Sequence, residues 1–338
     1  MINYLNILTR LFKTEGADRV VLDLGSSYIK SIYVKDREIK NFFVEKNTGQ
    51  PLKIFADWLK KEGLFHKSVK VGVKGQDTLI RYIPFPKVNK KNLKEVLSYE
   101  ISKFIPFNKD DIYFDVSILD ENYSSGEFLI LLALAKKEFI DAIIKDFNKE
   151  KINLLEITVE NIALINLFLD RPPQDLSTNK TRLEEQNLAI IDIGANSTLL
   201  NLVKKGMPCL SREIKISANN FLEKFAKEKD LSINDIENSI IYQKDSQEIR
   251  KIAEEVALEL CEVIKNSLDY FEVNWGQRIQ AIYLTGGISK ITEIEKLLTE
   301  SLEIETKIWN PFDNLALHFE NDIVNYKNML AVVLGSSL

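Results

Sequence analysis

Two short stretches of this chain bring a carboxylate, backbone N–H groups and small hydroxyl side chains together: Asp23-Leu24-Gly25-Ser26-Ser27 and Asp192-Ile193-Gly194-Ala195-Asn196-Ser197-Thr198. Each follows an apolar run and leads straight into another. Such a tip suits a phosphate with its metal ion. Mg2+ dehydrates reluctantly and is held through water and one or two carboxylates, while N–H and O–H groups meet the phosphate oxygens. Taken singly, Asp-x-Gly-Ser after a strand is also the chemistry of an ordinary hairpin turn. Its recurrence about half a chain later points to two homologous lobes rather than to a solenoid, whose repeats run roughly 20–50 residues. Two such hairpins facing each other would clamp a polyphosphate from both sides.

The elements that must position these groups are legible from periodicity. Residues 20–24 and 29–34 read as strand, turn and strand, with Gly25 supplying a permissive backbone. Residues 188–203 read the same way. A third signal, Ala281 to Ser289, is a strand running into Gly286-Gly287, where a backbone without Cβ can approach a flat ligand. An amphipathic segment over 291–302 follows it. Helical spacing marks 51–62, and 69–73 and 79–83 read as strands of the first lobe. Pro84-Phe85-Pro86 is held extended, since each proline pushes its predecessor out of the helical region. Asn89 then caps a helix with the stripe Leu93, Val96, Leu97, Ile101 and Phe104, which stops at Ile105-Pro106-Phe107. Strands over 111–119 and 127–135 and a helix over 136–147 complete a unit of about 65 residues, within the range of small domains. A strand over 152–159 enters a helix at Glu160-Asn161, and 171–186 reads as a loop between lobes. A long helix over 251–273 with a plain core stripe and an apolar closing helix over 326–338 finish the chain.

Composition narrows the classes. The chain has 338 residues, 28% charged and 45% hydrophobic, the profile of an ordinary globular protein with room for two domains. Its net charge of −5 argues against a nonspecific nucleic-acid-binding face. Cys209 and Cys261 are too few for a disulfide framework and read as buried thiols of a reducing compartment. His66 and His318 sit in no ligand-spaced cluster, so no structural zinc site is expected. No stretch reaches the roughly 20 apolar residues of a membrane span. Residues 1–13 are amphipathic without a small-residue cleavage site, so they read as a frayed leader, with a docking role as the other reading.

Asp-x-Gly-Ser, Asp-x-Gly-x-x-x-Thr and Thr-Gly-Gly, each after a strand and in this order, resemble the phosphate-one, phosphate-two and adenosine motifs of the actin-like ATPase superfamily. The resemblance implies an α/β, two-lobed actin-like ATPase fold with ribonuclease H-like lobes and a small α+β subdomain inserted in lobe one. It also implies ATP and Mg2+ as ligands. Carried over by position, Asp23, Gly25, Ser26, Ser27, Lys30, Asp192, Gly194, Asn196, Ser197, Thr198, Gly286, Gly287 and Ser289 would bind the nucleotide. Asp23 and Asp192 would hold Mg2+ largely through water. Glu160 matches, by order, the glutamate on the γ-phosphate side and is the catalytic candidate for orienting a water. A solvent-facing helix cap is its other reading. Glu262 and Lys265 resemble the residues holding ribose and adenine in heat-shock chaperones, and also read as a solvated i,i+3 charge pair.

The segment PFPKVNKKNLKEVLSYEISKFIPFNKDDIYFDVSIL is similar to the signature region of the PilM family of type IV pilus assembly, at Pro84, Phe85, Pro86, Glu100, Ile105, Pro106, Phe107 and Asp115. Trp309-Asn310-Pro311-Phe312 fits the same family, and Ser211-Arg212-Glu213-Ile214 resembles its Arg-Asp-Ile strand. Ser217-Ala218 departs from the two glycines that usually follow that strand. The resemblance implies a cytoplasmic ATP-binding scaffold, recruited to the inner face of the inner membrane, with slow or no hydrolysis. Its inserted subdomain would offer a groove lined by Pro84, Phe85, Pro86, Glu100, Phe104, Ile105, Pro106 and Phe107. The occupant would be the cytoplasmic tail of a PilN-like membrane protein, with an Ile-Asn-Leu-Leu-Pro-like core. Pilus motor ATPases or a platform protein are further partners it suggests, and self-association is compatible with it. The domain boundaries expected are 1–83 and 151–185 for lobe one, 84–150 for the insert, 186–322 for lobe two and 323–338 for the closing helix. A small-metabolite kinase of the same superfamily and an FtsA-like division filament are the alternatives. The first lacks a clear catalytic aspartate in lobe one, and the second lacks the lysine-rich polar face of a membrane-anchoring helix.

Overall fold

The computed structural model describes residues 18–36, 38–177, 183–229, 247–287, 294–313 and 323–338. The chain forms two compact units. The first holds the described residues up to Leu167 together with Val332–Leu338, and the second those from Phe168 to Ala331.

In the first unit the strands are β1 (Arg19–Leu24), β2 (Tyr28–Lys35), β3 (Glu38–Lys46), β4 (Val69–Val73), β5 (Thr78–Pro86), β6 (Ile112–Ser124), β7 (Glu127–Lys136) and β8 (Leu154–Val159). Its helices are α1 (Pro51–Lys61), α2 (Leu93–Glu100), α3 (Lys137–Lys149) and α4 (Glu160–Asp170). The main sheet runs β3-β2-β1-β4-β8. The hairpin pairs are antiparallel, and β1, β4 and β8 run parallel. Val20, Val21 and Leu22 of β1 are fully buried, as expected of a central strand covered on both faces. Pro51 at the start of α1 and Lys60 and Lys61 in its last turn suit the ends of a helix dipole. Its Trp58 ring stacks 5.1 Å from Phe43 and 5.8 Å from Phe55.

A second, antiparallel sheet runs β5-β7-β6. β7 divides its side chains between two cores. Ile130, Leu132 and Leu134 pack with Ile83, Phe85, Leu93, Leu97, Ile101 and Ile112. Leu131, Ala133 and Ala135 join the main core with Ile140 and Phe147 of α3. The segment around 79–83 therefore belongs to this sheet and not to the main one. It continues unbroken through Pro84 and Pro86 because an edge strand tolerates residues that cannot donate to a ladder. Asn89 accepts from the Lys91 N–H and caps a short 3-10 turn, Lys90–Asn92, that runs into α2. A second such turn, Ile101–Lys103, ends the helix earlier than its apolar stripe suggests.

The second unit repeats the main sheet. Its strands β9 (Asn187–Ile193), β10 (Thr198–Lys204), β11 (Met207–Ile214), β12 (Ala281–Thr285) and β13 (Thr306–Ile308) run in the order β11-β10-β9-β12-β13, with the same senses. The duplicated hairpin motif is thus the visible part of a duplicated fold, the ribonuclease H-like order occurring once per unit. Lys205 and Gly206, at φ 50 and 79, make the two-residue turn between β10 and β11, which needs positive φ at both positions. Helices α5 (Gln174–Ser177), α6 (Ala218–Lys229), α7 (Gln247–Trp275) and α8 (Ile294–Leu302) complete this unit. Val256, Leu260, Ile264 and Phe271 of α7 supply the core stripe. Cys261 is buried, whereas Cys209 is only half-buried. The chain closes in a 3-10 segment (Val324–Leu330) and then α9 (Ala331–Ser336), not in one continuous helix.

Candidate functional site

The parallel strands of each unit bring their C-terminal ends together, which is where open α/β sheets bind ligands. In the first unit Asp23 at the end of β1 pairs in register with Gly72 of β4. Gly72 in turn pairs with Thr158 of β8, one strand end away from Glu160 at the start of α4. Asp23 is 1% exposed, and Lys30 Nζ lies 2.5 Å from its Oδ2. Neither Asp23 oxygen accepts a directed hydrogen bond among the described residues. The Lys30 ammonium balances the charge but leaves lone pairs of this buried carboxylate unfilled, and a hydrated divalent cation would supply donors to them. The residues present therefore fit Mg2+.

The hairpin tip is held by Asn47, whose N–H donates to the Ser27 carbonyl at 2.8 Å and whose side chain donates to the Gly25 carbonyl at 3.1 Å. Gly25 is required by space, not by a left-handed φ, since a Cβ there would sit 2.5 Å from the Tyr28 carbonyl oxygen. Ser26 is exposed and Ser27 half-exposed, so both remain available at the tip.

Glu160 is 3% exposed, which removes the reading of a solvent-facing cap. Its Oε2 lies 2.8 Å from Lys74 Nζ. Burial raises its carboxyl to about 7; Lys74 opposes the rise and the Asp23 charge adds to it. Lys74 and Gly72 carry no motif that marks them for the site, although Gly72 reads as the end of the 69–73 strand. The only local signal is a lysine directly after a fully buried strand.

In the second unit Asp192 ends β9 and pairs in register with Thr285 of β12. Gly286 follows at φ +94, and a Cβ there would collide with the Asp192 carboxylate and the Ile193 carbonyl. The missing Cβ thus makes room for the chain's own second hairpin. A Cβ on Gly287 would meet only Met329 Cγ, at 3.8 Å. Thr198 is fully buried, and its hydroxyl donates to the Ile216 carbonyl at 2.7 Å. Ser197 is buried, whereas Asn196 is exposed and accepts from Asn219 Nδ2 at 2.5 Å. Gly194 accepts at its carbonyl from the Ala218 N–H at 2.9 Å.

Ser217-Ala218, in place of glycines, starts α6: the Ser217 N–H and hydroxyl both donate to Asn220 Oδ1, at 2.9 and 3.0 Å. This is a capping arrangement, with a side chain three positions into the helix reaching back to the cap N–H. Glu262 and Lys265 lie on the exposed side of α7. Ser289 lies outside the described residues, as do residues 1–13.

In the insert, Phe85 is 1% exposed and meets Phe104 edge-on at 6.5 Å. Pro84, Pro86 and Pro106 are exposed, and Ile105 and Phe107 half-buried. The Phe107 ring lies 5.3 Å from Lys136 Nζ. Glu100 pairs with Lys103 at 3.2 Å, and Asp115 with Lys94 at 3.0 Å. Tyr99, also on α2, is 77% exposed and carries no motif in the sequence. Among the described residues no helix is long and apolar enough to cross a membrane, and no three His, Cys, Asp or Glu side chains cluster as metal ligands.

This architecture is that of the actin-like ATPases. The ethanolamine utilization protein EutJ from Carboxydothermus hydrogenoformans matches with a TM-score of 0.56 at 12% identity, over 100% of this chain and 97% of its own. MreB5 of Spiroplasma citri bound to ADP matches with a TM-score of 0.51 at 12% identity, over 96% of each chain. A PilM–PilN type IV pilus biogenesis complex matches with a TM-score of 0.80 at 22% identity, over 95% of this chain and 98% of that one. The family model for the type IV pilus assembly protein PilM matches residues 25–335, and the chain belongs to that family.

Proposed function

We propose that this chain is an ATP-binding scaffold of the type IV pilus inner-membrane assembly platform. Its inserted subdomain binds the cytoplasmic tail of a PilN-like membrane protein. The observation that carries nucleotide binding is Asp23, a buried carboxylate at the end of a parallel strand whose one described ionic partner is Lys30, in a hairpin that recurs at Asp192. Mg2+, when bound there, would neutralise phosphate charge. Ser26 and Ser27 would donate to phosphate oxygens, and Lys30 would move from Asp23 toward the phosphates. Membership of the PilM family supports the pilus role. The similar fold of MreB5, solved with ADP and with AMPPNP, supports the nucleotide.

Partner recognition rests on the insert, where a few apolar anchors in pockets would hold an extended peptide. Phe85 shapes the floor from within the core, and Phe104, Ile105 and Phe107 offer half-exposed apolar surface. Calorimetric titration with Mg·ATP, and then with an Asn-Leu-Leu-Pro-containing tail peptide, tests both parts. Asp23→Asn should weaken Mg·ATP binding at least about tenfold, the equivalent of roughly 1.4 kcal/mol, and leave peptide binding intact. Unchanged nucleotide affinity in that variant removes Asp23 from the site. Absent peptide binding removes the pilus tail as the partner and leaves the filament and kinase readings to be tested.

A further inference from the structure

Gly72 lies at the meeting point of three elements of the first unit. A Cβ at this position would approach Glu160 Cγ at 3.2 Å, Val332 Cγ1 at 3.6 Å and the Ser336 hydroxyl oxygen at 3.7 Å. Glu160 begins α4, and Val332 and Ser336 belong to α9, the last helix of the chain. The two helices are locked together by Gly335, where a Cβ would run into the Ala163 carbonyl and reach 3.2 Å from Leu167 Cβ. The closing helix is thus seated against α4 and against the end of β4, over the same backbone that carries the site's glutamate.

Two buried polar groups flank Gly72 there. Ser336 is 6% exposed, and its hydroxyl has no hydrogen-bond partner among the described residues. Glu160 is 3% exposed, and its Oε2 lies 2.8 Å from the Lys74 ammonium. A buried hydroxyl that donates to nothing and the lone pairs of a buried carboxylate that one ammonium leaves unfilled each cost stability when left alone. They cease to cost it when joined, and a single bridging water needs only such polar partners. We propose that Ser336 is a positioning residue for Glu160: its hydroxyl donates to the Glu160 carboxylate through one bridging water, so that the C-terminal helix forms part of the nucleotide site.

The charged groups facing Glu160 are Lys74 beyond β4, Asp23 of β1 and Lys30 of β2. Ser336 adds a neutral donor from α9. A donor favours the ionised form of a carboxylate, so removing it raises the pH at which Glu160 titrates. The role assigned to Glu160 rests on the proposed nucleotide function, whereas this titration is read in the nucleotide-free protein.

The experiment follows the carboxyl carbon of Glu160 by NMR across pH in the full chain. Glu160→Gln assigns the resonance and Lys74→Met calibrates the response to a lost neighbour. Ser336→Ala should move the midpoint upward by about one pH unit, the size of one hydrogen bond to a charged group. Ser336→Thr, which keeps the hydroxyl, should restore it. Identical midpoints in wild type and Ser336→Ala overturn the proposal, whatever the protein does with ATP. A shifted midpoint in a protein that binds no nucleotide would instead refute the nucleotide function and leave the Ser336–Glu160 link standing.

Discussion

Replacing Gly286 by alanine tests whether the second Asp-x-Gly hairpin is locked by packing within its own unit. The residue has φ +94, a conformation that L side chains rarely adopt, which costs about 1–2 kcal/mol. The added Cβ would also lie 2.5 Å from the Ile193 carbonyl oxygen and 2.8 Å from its carbon, besides meeting the Asp192 carboxylate. These are mostly backbone atoms inside a five-stranded sheet and cannot rotate away, so relief requires β9 and β12 to separate. Overpacking of that kind costs about 1–3 kcal/mol more. A total near 3 kcal/mol corresponds to a Tm lower by about 6–12 °C for a domain of this size. Gly287→Ala is the internal control, because its Cβ would find only Met329 Cγ at 3.8 Å; it should change stability by no more than about 0.5 kcal/mol. Urea denaturation of both variants beside wild type gives the comparison. Equal stabilities for the two alanine variants would refute the steric argument and return Gly286 to a purely ligand-facing role.

Three further outcomes follow from the same geometry. Glu160 titrates near 7 in the folded protein against 4.5 unfolded, so the folded state binds its proton more tightly and stability falls as pH rises between those values. The loss should be on the order of 3 kcal/mol, and Glu160→Gln should remove it in denaturation at pH 5 and pH 7.5; an unchanged slope contradicts the assignment. Phe85→Ala empties a fully buried site in the insert and should cost about 3–5 kcal/mol, with local loss of hydrogen-exchange protection in β5 and α2. Tyr99→Ala, at a position 77% exposed, should leave stability within about 0.5 kcal/mol, so that any loss of tail-peptide affinity measured by calorimetry reports a direct contact.

Much of this architecture is legible in the residues themselves because it depends on local pattern. Alternation of apolar and polar residues marks the hairpins, Asp-x-Gly marks their tips, and the recurrence of both announces a duplicated fold. Prolines 84 and 86 and Asn89 likewise place an extended edge and a helix start from backbone restriction and capping alone. The site's interior is different, since it is made by pairs far apart in the chain. That β5 leaves the main sheet for the insert follows from its partner β7, whose continuous apolar run shows burial on both faces but not against what. Gly286 looks like a surface for a flat ligand until the parallel pairing of β9 and β12 brings Asp192 beneath it. Ser217-Ala218 reads as the loss of two useful glycines, while the fold makes it the capped start of α6 through Asn220. The sequence by itself determined the duplicated fold, the two hairpin aspartates and the kinship with a pilus-assembly family. Only the tertiary structure set Lys74, Gly72 and Ser336 around Glu160, because parallel strands and a returning C-terminal helix bring together residues whose types carry no mark of one another.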